Sequence, residues 1–196
     1  MKTMFPALLG LAASLFLIST AHADTGLKKA SFAMGCFWCA EHDFQKVEGV
    51  ADVVSGYEGG SRETATYDQV SKGTTDHYEA VEVTYDPAKV SYDKLLQVFW
   101  DNIDPFDGEG QFCDKGKQYS AVIFVGDKSE REAAEKSLAA LQGRHPGQQV
   151  KVRIEEARPF YAAEAKHQDF ADNNKMHYRL YRAGCNRDER LEELKK

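Results

Sequence analysis

The feature that most narrows the fold is an alternation of hydrophobic periodicity that begins near residue 30 and runs almost to the end of the chain. Apolar residues at every second position mark a half-buried strand, and spacings of three and four mark an amphipathic helix. Residues 30–33 read as a short strand broken at Gly35. Residues 36–47 read as a helix with Phe37, Ala40, Phe44 and Val47 on one side. A strand over 50–57 ends in the glycine loop 56–60, and another over 78–85 alternates until Asp86-Pro87 stops it. A helix over 91–100 with Ser91 as N-cap, a doubly apolar strand over 119–125, a helix over 128–141, a strand over 149–154 and a helix over 162–171 complete the order. Residues 101–117 form a polar loop long enough to point to function. No fixed-period repeat or linker divides the chain. The expected fold class is α/β (α+β), one layer of helices on a mixed or antiparallel sheet.

The first 23 residues follow a different logic. Lys2 gives a positive start, residues 7–18 an apolar stretch, and Ala21-His22-Ala23 a small-x-small cleavage site. This is the pattern of a secretory signal peptide, and the stretch is shorter than the ~20 residues a membrane-spanning helix needs. The expectation is a leader over 1–23 and a single catalytic domain over 24–196, with a charged, flexible C-terminal tail from about residue 182. It places the mature protein in the periplasm or outside the cell, free of the membrane once the leader is cleaved. An uncleaved anchor is the alternative. The net charge of −6 carries no basic stripe, so nucleic acid is set aside as a partner.

Four cysteines, Cys36, Cys39, Cys113 and Cys185, follow the leader. In an oxidising compartment an even count fits two structural disulfides, with three connectivities open. A core of this size does not need staples, so chemistry is the other reading. Cys36 follows a strand and a glycine and opens a helix, where unpaired N–H groups and the macrodipole favour a thiolate. Cys36 and Cys39 form a C-x-x-C pair one turn apart, which suits thiol–disulfide exchange. The same spacing is half of a zinc site, but a second half-site is missing from the sequence, and no metal is expected. On the strand over 78–85, Glu79 shares the phase of Val81 and Val83 and points inward, where burial raises a carboxyl pKa and makes it a proton donor.

Gly35-Cys36-Phe37-Trp38 resembles the active-site signature of the peptide methionine sulfoxide reductase A family. The resemblance continues, in the family's order, through Gly56-Tyr57-Glu58-Gly59-Gly60, Thr66-Tyr67-Asp68-Gln69-Val70, His77-Tyr78-Glu79-Ala80-Val81, Thr84-Tyr85-Asp86-Pro87 and Asp114-Lys115-Gly116-Lys117-Gln118-Tyr119. It implies a two-layer sandwich of ferredoxin-like type and reduction of methionine S-sulfoxide, free or in proteins, without a cofactor. Cys36 would attack the sulfoxide sulfur, and Phe37 and Trp38 would hold the S-methyl group. Glu79, Tyr67 and Tyr119 would bind the oxygen, with Glu79 giving the proton, and Asp114 would help position the site. A second thiol would then condense with the Cys36 sulfenic acid, and a thioredoxin-like reductant would recycle the disulfide. For that second thiol Cys185 ranks first by reach, followed by Cys39 and Cys113. The chain departs from the family at Met34 and Cys39, where glycine is usual, and at Ser120, where arginine is. A general disulfide oxidoreductase using Cys36 and Cys39 is the competing reading, but it leaves Tyr67, Glu79 and Tyr119 without a role. A non-enzymatic binding protein with two structural disulfides is the third.

Overall fold

The computed structural model describes Met1 and residues 26–195 of the chain. The expected leader over 1–23 therefore lies, but for Met1, outside the described residues. In chain order the elements are β1 (Lys28–Met34), α1 (Phe37–Gln45), β2 (Val50–Glu58), α2 (Tyr67–Val70), β3 (Tyr78–Tyr85) and α3 (Tyr92–Asp101). The hairpin strands β4 (Gly110–Gln111) and β5 (Asp114–Lys115) follow, then β6 (Ala121–Val125), α4 (Lys128–Arg144), β7 (Arg153–Glu156) and β8 (Tyr161–Ala162). Three helices close the chain: α5 (Phe170–Asn173), α6 (Lys175–Gly184) and α7 (Arg187–Leu194).

Six strands form one sheet in the order β7-β6-β1-β3-β2-β8. Every neighbouring pair is antiparallel except β6 and β7, which are joined through α4, as a parallel pair requires a crossover. Because side chains alternate along a strand, the sheet has two chemically distinct faces. Phe32, Val81, Val83 and Ile123 point to the main core, where Phe44 of α1, Leu95 and Phe99 of α3 and Ala134 of α4 meet them. Phe32 stacks on Phe44 with ring centroids 5.1 Å apart. The opposite face carries a smaller cluster of Ala33, Tyr78, Ala80, Val122 and Phe124, against which Phe160 packs. Ser91 caps α3 by accepting from the Lys94 N–H at 3.2 Å, and Asp127 caps α4 in the same way. The mixed, mostly antiparallel sheet with helices on it is the architecture expected.

Three expectations are corrected. The helix expected over 162–171 is instead β8, a 3-10 turn at Ala165–His167 and the short α5. Tertiary partners override helix propensity here: Gln168 bonds both backbone groups of Ser55, Glu164 accepts from the Tyr57 hydroxyl, and Asp169 turns the chain with φ +51°. The strand expected over 149–154 starts later, at Arg153. The tail expected to be flexible from about residue 182 is helical and docked. Leu191 and Arg187 are buried, Arg187 donates to the Asn102 carbonyl, and Arg190 pairs with Asp104 at 2.8 Å. Among the described residues no helix is long and apolar enough to cross a membrane.

Candidate active site

Cys36 stands where β1 turns into α1, and Gly35 makes that turn. Its φ is +82°, and a Cβ there would come within 2.6 Å of the Gln111 side chain. A larger residue would be strained in its own backbone and would push on the hairpin. Cys36 is the N-cap of α1: its carbonyl accepts from the Cys39 and Ala40 N–H groups, while its own backbone (φ −56°, ψ 122°) remains outside the helix. Cys39 lies one turn on, its N–H donating to the Cys36 carbonyl at 3.1 Å, and both thiols are free and buried.

The electrostatics differ from the expectation that the helix end holds a resting thiolate. The first free N–H of α1, that of Phe37, donates to Glu79 Oε2 at 3.1 Å. The helix terminus therefore serves the carboxyl. Burial pushes the Cys36 thiol up, and the charges of Cys39 and Glu79 push in the same direction. The Cys36 hydrogen bond pulls Cys39 down to about 7, assisted by the nearby Arg187 and Arg182. The proton given up first by this pair is thus one that leaves Cys36 still protonated. Raising the nucleophilicity of Cys36 then requires a bound substrate or a shifted hydrogen bond.

Glu79 is buried on the core face of β3, as its strand phase predicts. Desolvation pushes its carboxyl up to about 8; the Asp114 charge adds to this, while the Phe37 N–H and a hydrogen bond with Tyr119 oppose it. At neutral pH Glu79 is therefore a protonated acid beside a thiol. Tyr119 ends the 3-10 turn after the hairpin, and Tyr67 begins α2. Both phenols feel the charges of Glu79, Cys36 and Asp114, and burial pushes both up, so they act as neutral donors. Asp114 sits on β5, where burial raises its carboxyl. The structure thus brings Cys36, Cys39, Glu79, Tyr67, Tyr119 and Asp114 together.

Phe37 and Trp38 form an aromatic wall. Phe37 is buried against Tyr57, Tyr67 and His167, while Trp38 is partly exposed and lies flat on Phe170 with centroids 3.7 Å apart. His167 holds Trp38 in place: the indole N–H donates to Nδ1 at 3.2 Å, so the ring proton belongs on Nε2. Burial lowers the His167 pKa and keeps the ring neutral, as the acceptor role requires.

Sequence reasoning missed His167, Phe170, Glu164 and Tyr181. The first three lie in the stretch misread as one helix. Tyr181 carried one legible signal, its position four residues before Cys185 and so on the same face of a helix. Its hydroxyl bonds to Asp114 Oδ2, and its ring meets Trp38 edge-on at 5.8 Å.

Cys185, ranked first as the second thiol, is joined to Cys113 in a disulfide with Cα atoms 4.9 Å apart and a sequence separation of 72. With Asp114 these two make the one His, Cys and acid cluster among the described residues tight enough for a cation, and its sulfurs are bonded to each other.

The family profile described as peptide methionine sulfoxide reductase matches residues 28–196. A curated relative, peptide methionine sulfoxide reductase MsrA 2 of Caulobacter vibrioides, is 48% identical over 165 residues, 84% of each chain. Peptide methionine sulfoxide reductase MsrA of Listeria innocua is 47% identical over 163 residues, 82% of this chain and 92% of the relative. Among solved structures, Mxr1 from Saccharomyces cerevisiae in reduced form superposes with a TM-score of 0.73 at 28% identity, covering 79% of this chain and 90% of that one.

Proposed function

The chain belongs to the peptide methionine sulfoxide reductase A family, and from that premise we propose how its side chains carry out the reaction. It is a thiol-dependent reductase that returns methionine sulfoxide to methionine. The observation that carries the assignment of roles is the buried Glu79 carboxyl, held by the Phe37 N–H next to Cys36.

A sulfoxide oxygen leaves poorly until it is protonated, so the site must offer an acid and a nucleophile together. Trp38, with Phe37 behind it, receives the S-methyl group, for which aromatic faces have affinity. The sulfoxide oxygen points to the carboxyl of Glu79 and the phenols of Tyr67 and Tyr119, and this placement selects the S epimer. The Cys36 sulfur attacks the sulfoxide sulfur while Glu79 gives up its proton to the oxygen. The oxygen passes to Cys36, leaving a sulfenic acid, and methionine departs. A second thiol displaces water from that sulfenic acid and forms a disulfide. An external dithiol of thioredoxin-like kind reduces the disulfide and is itself oxidised.

Cys39 is the thiol the geometry favours for the second step, in place of Cys185. It lies one turn from Cys36, with its N–H on the Cys36 carbonyl, and because Cys36 lies outside the helix the bond does not have to close across a complete helical turn. The signal-like first 23 residues support export, and a Cys113–Cys185 disulfide fits an oxidising compartment. The role that follows is repair of oxidised methionine in envelope proteins, and N-terminal sequencing of exported protein should begin at Asp24.

The test is mass spectrometry of the mature protein after exposure to a methionine S-sulfoxide without reductant. One methionine released per protein, with a new disulfide containing Cys36, is expected. A Cys36→Ser protein that still releases methionine overturns the reading.

A further inference from the structure

Three parts of the substrate pocket come from distant stretches of chain, and one carboxylate reaches all of them. Glu164 follows β8 and precedes the 3-10 turn Ala165–His167, where the His167 N–H donates to the Glu164 carbonyl at 2.8 Å. Glu164 Oε1 accepts from the Tyr67 N–H at 3.0 Å, the first N–H of α2, which the Thr66 side chain leaves uncapped. Glu164 Oε2 accepts from the Tyr57 hydroxyl at 2.9 Å and lies 4.0 Å from His167 Nε2. That ring nitrogen is buried and has no hydrogen-bond partner. The carboxylate therefore favours the tautomer with the proton on Nε2, the one in which Nδ1 accepts the Trp38 indole N–H.

Each contact leads on to a group that receives substrate. Tyr67 carries a phenol of the oxygen site. Tyr57 is fully buried against Phe37, with ring centroids 5.9 Å apart. His167 holds Trp38 and packs on Tyr67 at 4.4 Å. We propose that Glu164 is a positioning residue of this reaction, fixing the Tyr67 phenol relative to the Phe37–Trp38 wall so that the sulfoxide oxygen and the S-methyl group are received at one set separation. The inference rests on the reading above, in which Tyr67 binds the oxygen and the two aromatics hold the methyl group.

Charge and exposure decide what the carboxylate is for. Burial works against its charge, but the Tyr67 N–H and the Tyr57 hydroxyl outweigh this and hold the Glu164 carboxyl below its usual range. It is thus an anion at neutral pH, and both bonds are charge-assisted. Its side chain is 42% exposed, so water can reach the two donors once it is removed. Truncation therefore loosens the pocket more than it weakens the fold.

The experiment measures kcat and KM of the parent, Glu164→Ala and Glu164→Gln, with a dithiol reductant, on a methionine S-sulfoxide peptide and on its S-ethyl homologue. The parent should favour the methyl substrate by about tenfold or more, the range that one methylene allows in an apolar pocket. Glu164→Ala should lose about tenfold in kcat/KM on the methyl substrate, the scale of a hydrogen bond to a charged group, and lose less on the ethyl one, so the preference narrows. Glu164→Gln should recover most of both, because its amide oxygen accepts from Tyr67 and its NH2 donates to the Tyr57 oxygen. Cys36 alkylation in substrate-free protein should keep its parent rate in each variant. An unchanged methyl-to-ethyl ratio in Glu164→Ala overturns the proposal. So does slowed Cys36 alkylation, which marks general loosening, or a folded Glu164→Gln as impaired as Glu164→Ala. Should thermal unfolding show that Glu164→Ala does not fold, Tyr57→Phe, which removes one of the two bonds and leaves the carboxylate, carries the same ratio test. Failure of the underlying reading shows differently: Tyr67→Phe would then turn over both substrates like the parent.

Discussion

The two cysteine pairs of this protein are built in opposite ways. Cys36 and Cys39 are three residues apart, buried and unbonded, beside an acid that stays protonated to about pH 8. Cys113 and Cys185 are 72 residues apart and bonded, with Cys113 exposed to solvent. Burial around the first pair serves the acid: desolvation raises Glu79 and keeps it a proton donor, while it also holds the Cys36 thiol protonated at rest. The second pair spends a covalent bond on position, tying the last helices to the hairpin that carries Asp114. Spacing in the chain matches the task. A local pair can react without moving the fold, whereas a distant pair constrains it.

The sharpest way to break this contrast is Cys36→Ser. Methionine release should vanish, and a residual rate in an in-solution assay would mean that the second pair shares the chemistry. Next comes Glu79→Gln, expected to cost roughly 10²–10⁴ in turnover, the range for a positioned general acid. Its pH profile carries the sign: the acid is needed protonated, so parent activity should fall as pH rises through about 8, and the variant should lack that limb. A limb that survives in the variant assigns it to another group.

Removing the second pair by Cys113→Ser/Cys185→Ser should act on stability first. Opening a loop of this length should cost about 4 kcal/mol in denaturant unfolding, by the chain-entropy account. No change would show that the docked arginines alone hold the tail. The smallest effect is expected at Arg190→Ala, which loses a partly exposed pair with Asp104. It should cost under about 1 kcal/mol and leave turnover unchanged.

Much of the first pair's surroundings was legible without coordinates. Strand, glycine, cysteine and helix are successive along the chain, so Cys36 and the C-x-x-C spacing could be read from neighbours. Glu79 needed only the two-residue period of its strand. Tyr67, Tyr119 and Asp114 were reached by resemblance, because their relation to Cys36 crosses the fold. The second pair was not legible. Three pairings of four cysteines are equally consistent with the sequence, and a charged tail gives no periodic sign of where it docks.

The amino-acid order alone determined the alternation of elements, the inward carboxyl and the placement of a thiol at a helix start, since each depends on residues within one or two turns of each other. The tertiary structure decided which groups claim the helix N–H, which cysteine meets which, and that Tyr181 reaches Asp114. Those outcomes depend on competition among partners distant in the chain for the same few hydrogen bonds. Local spacing carries no record of which partner wins.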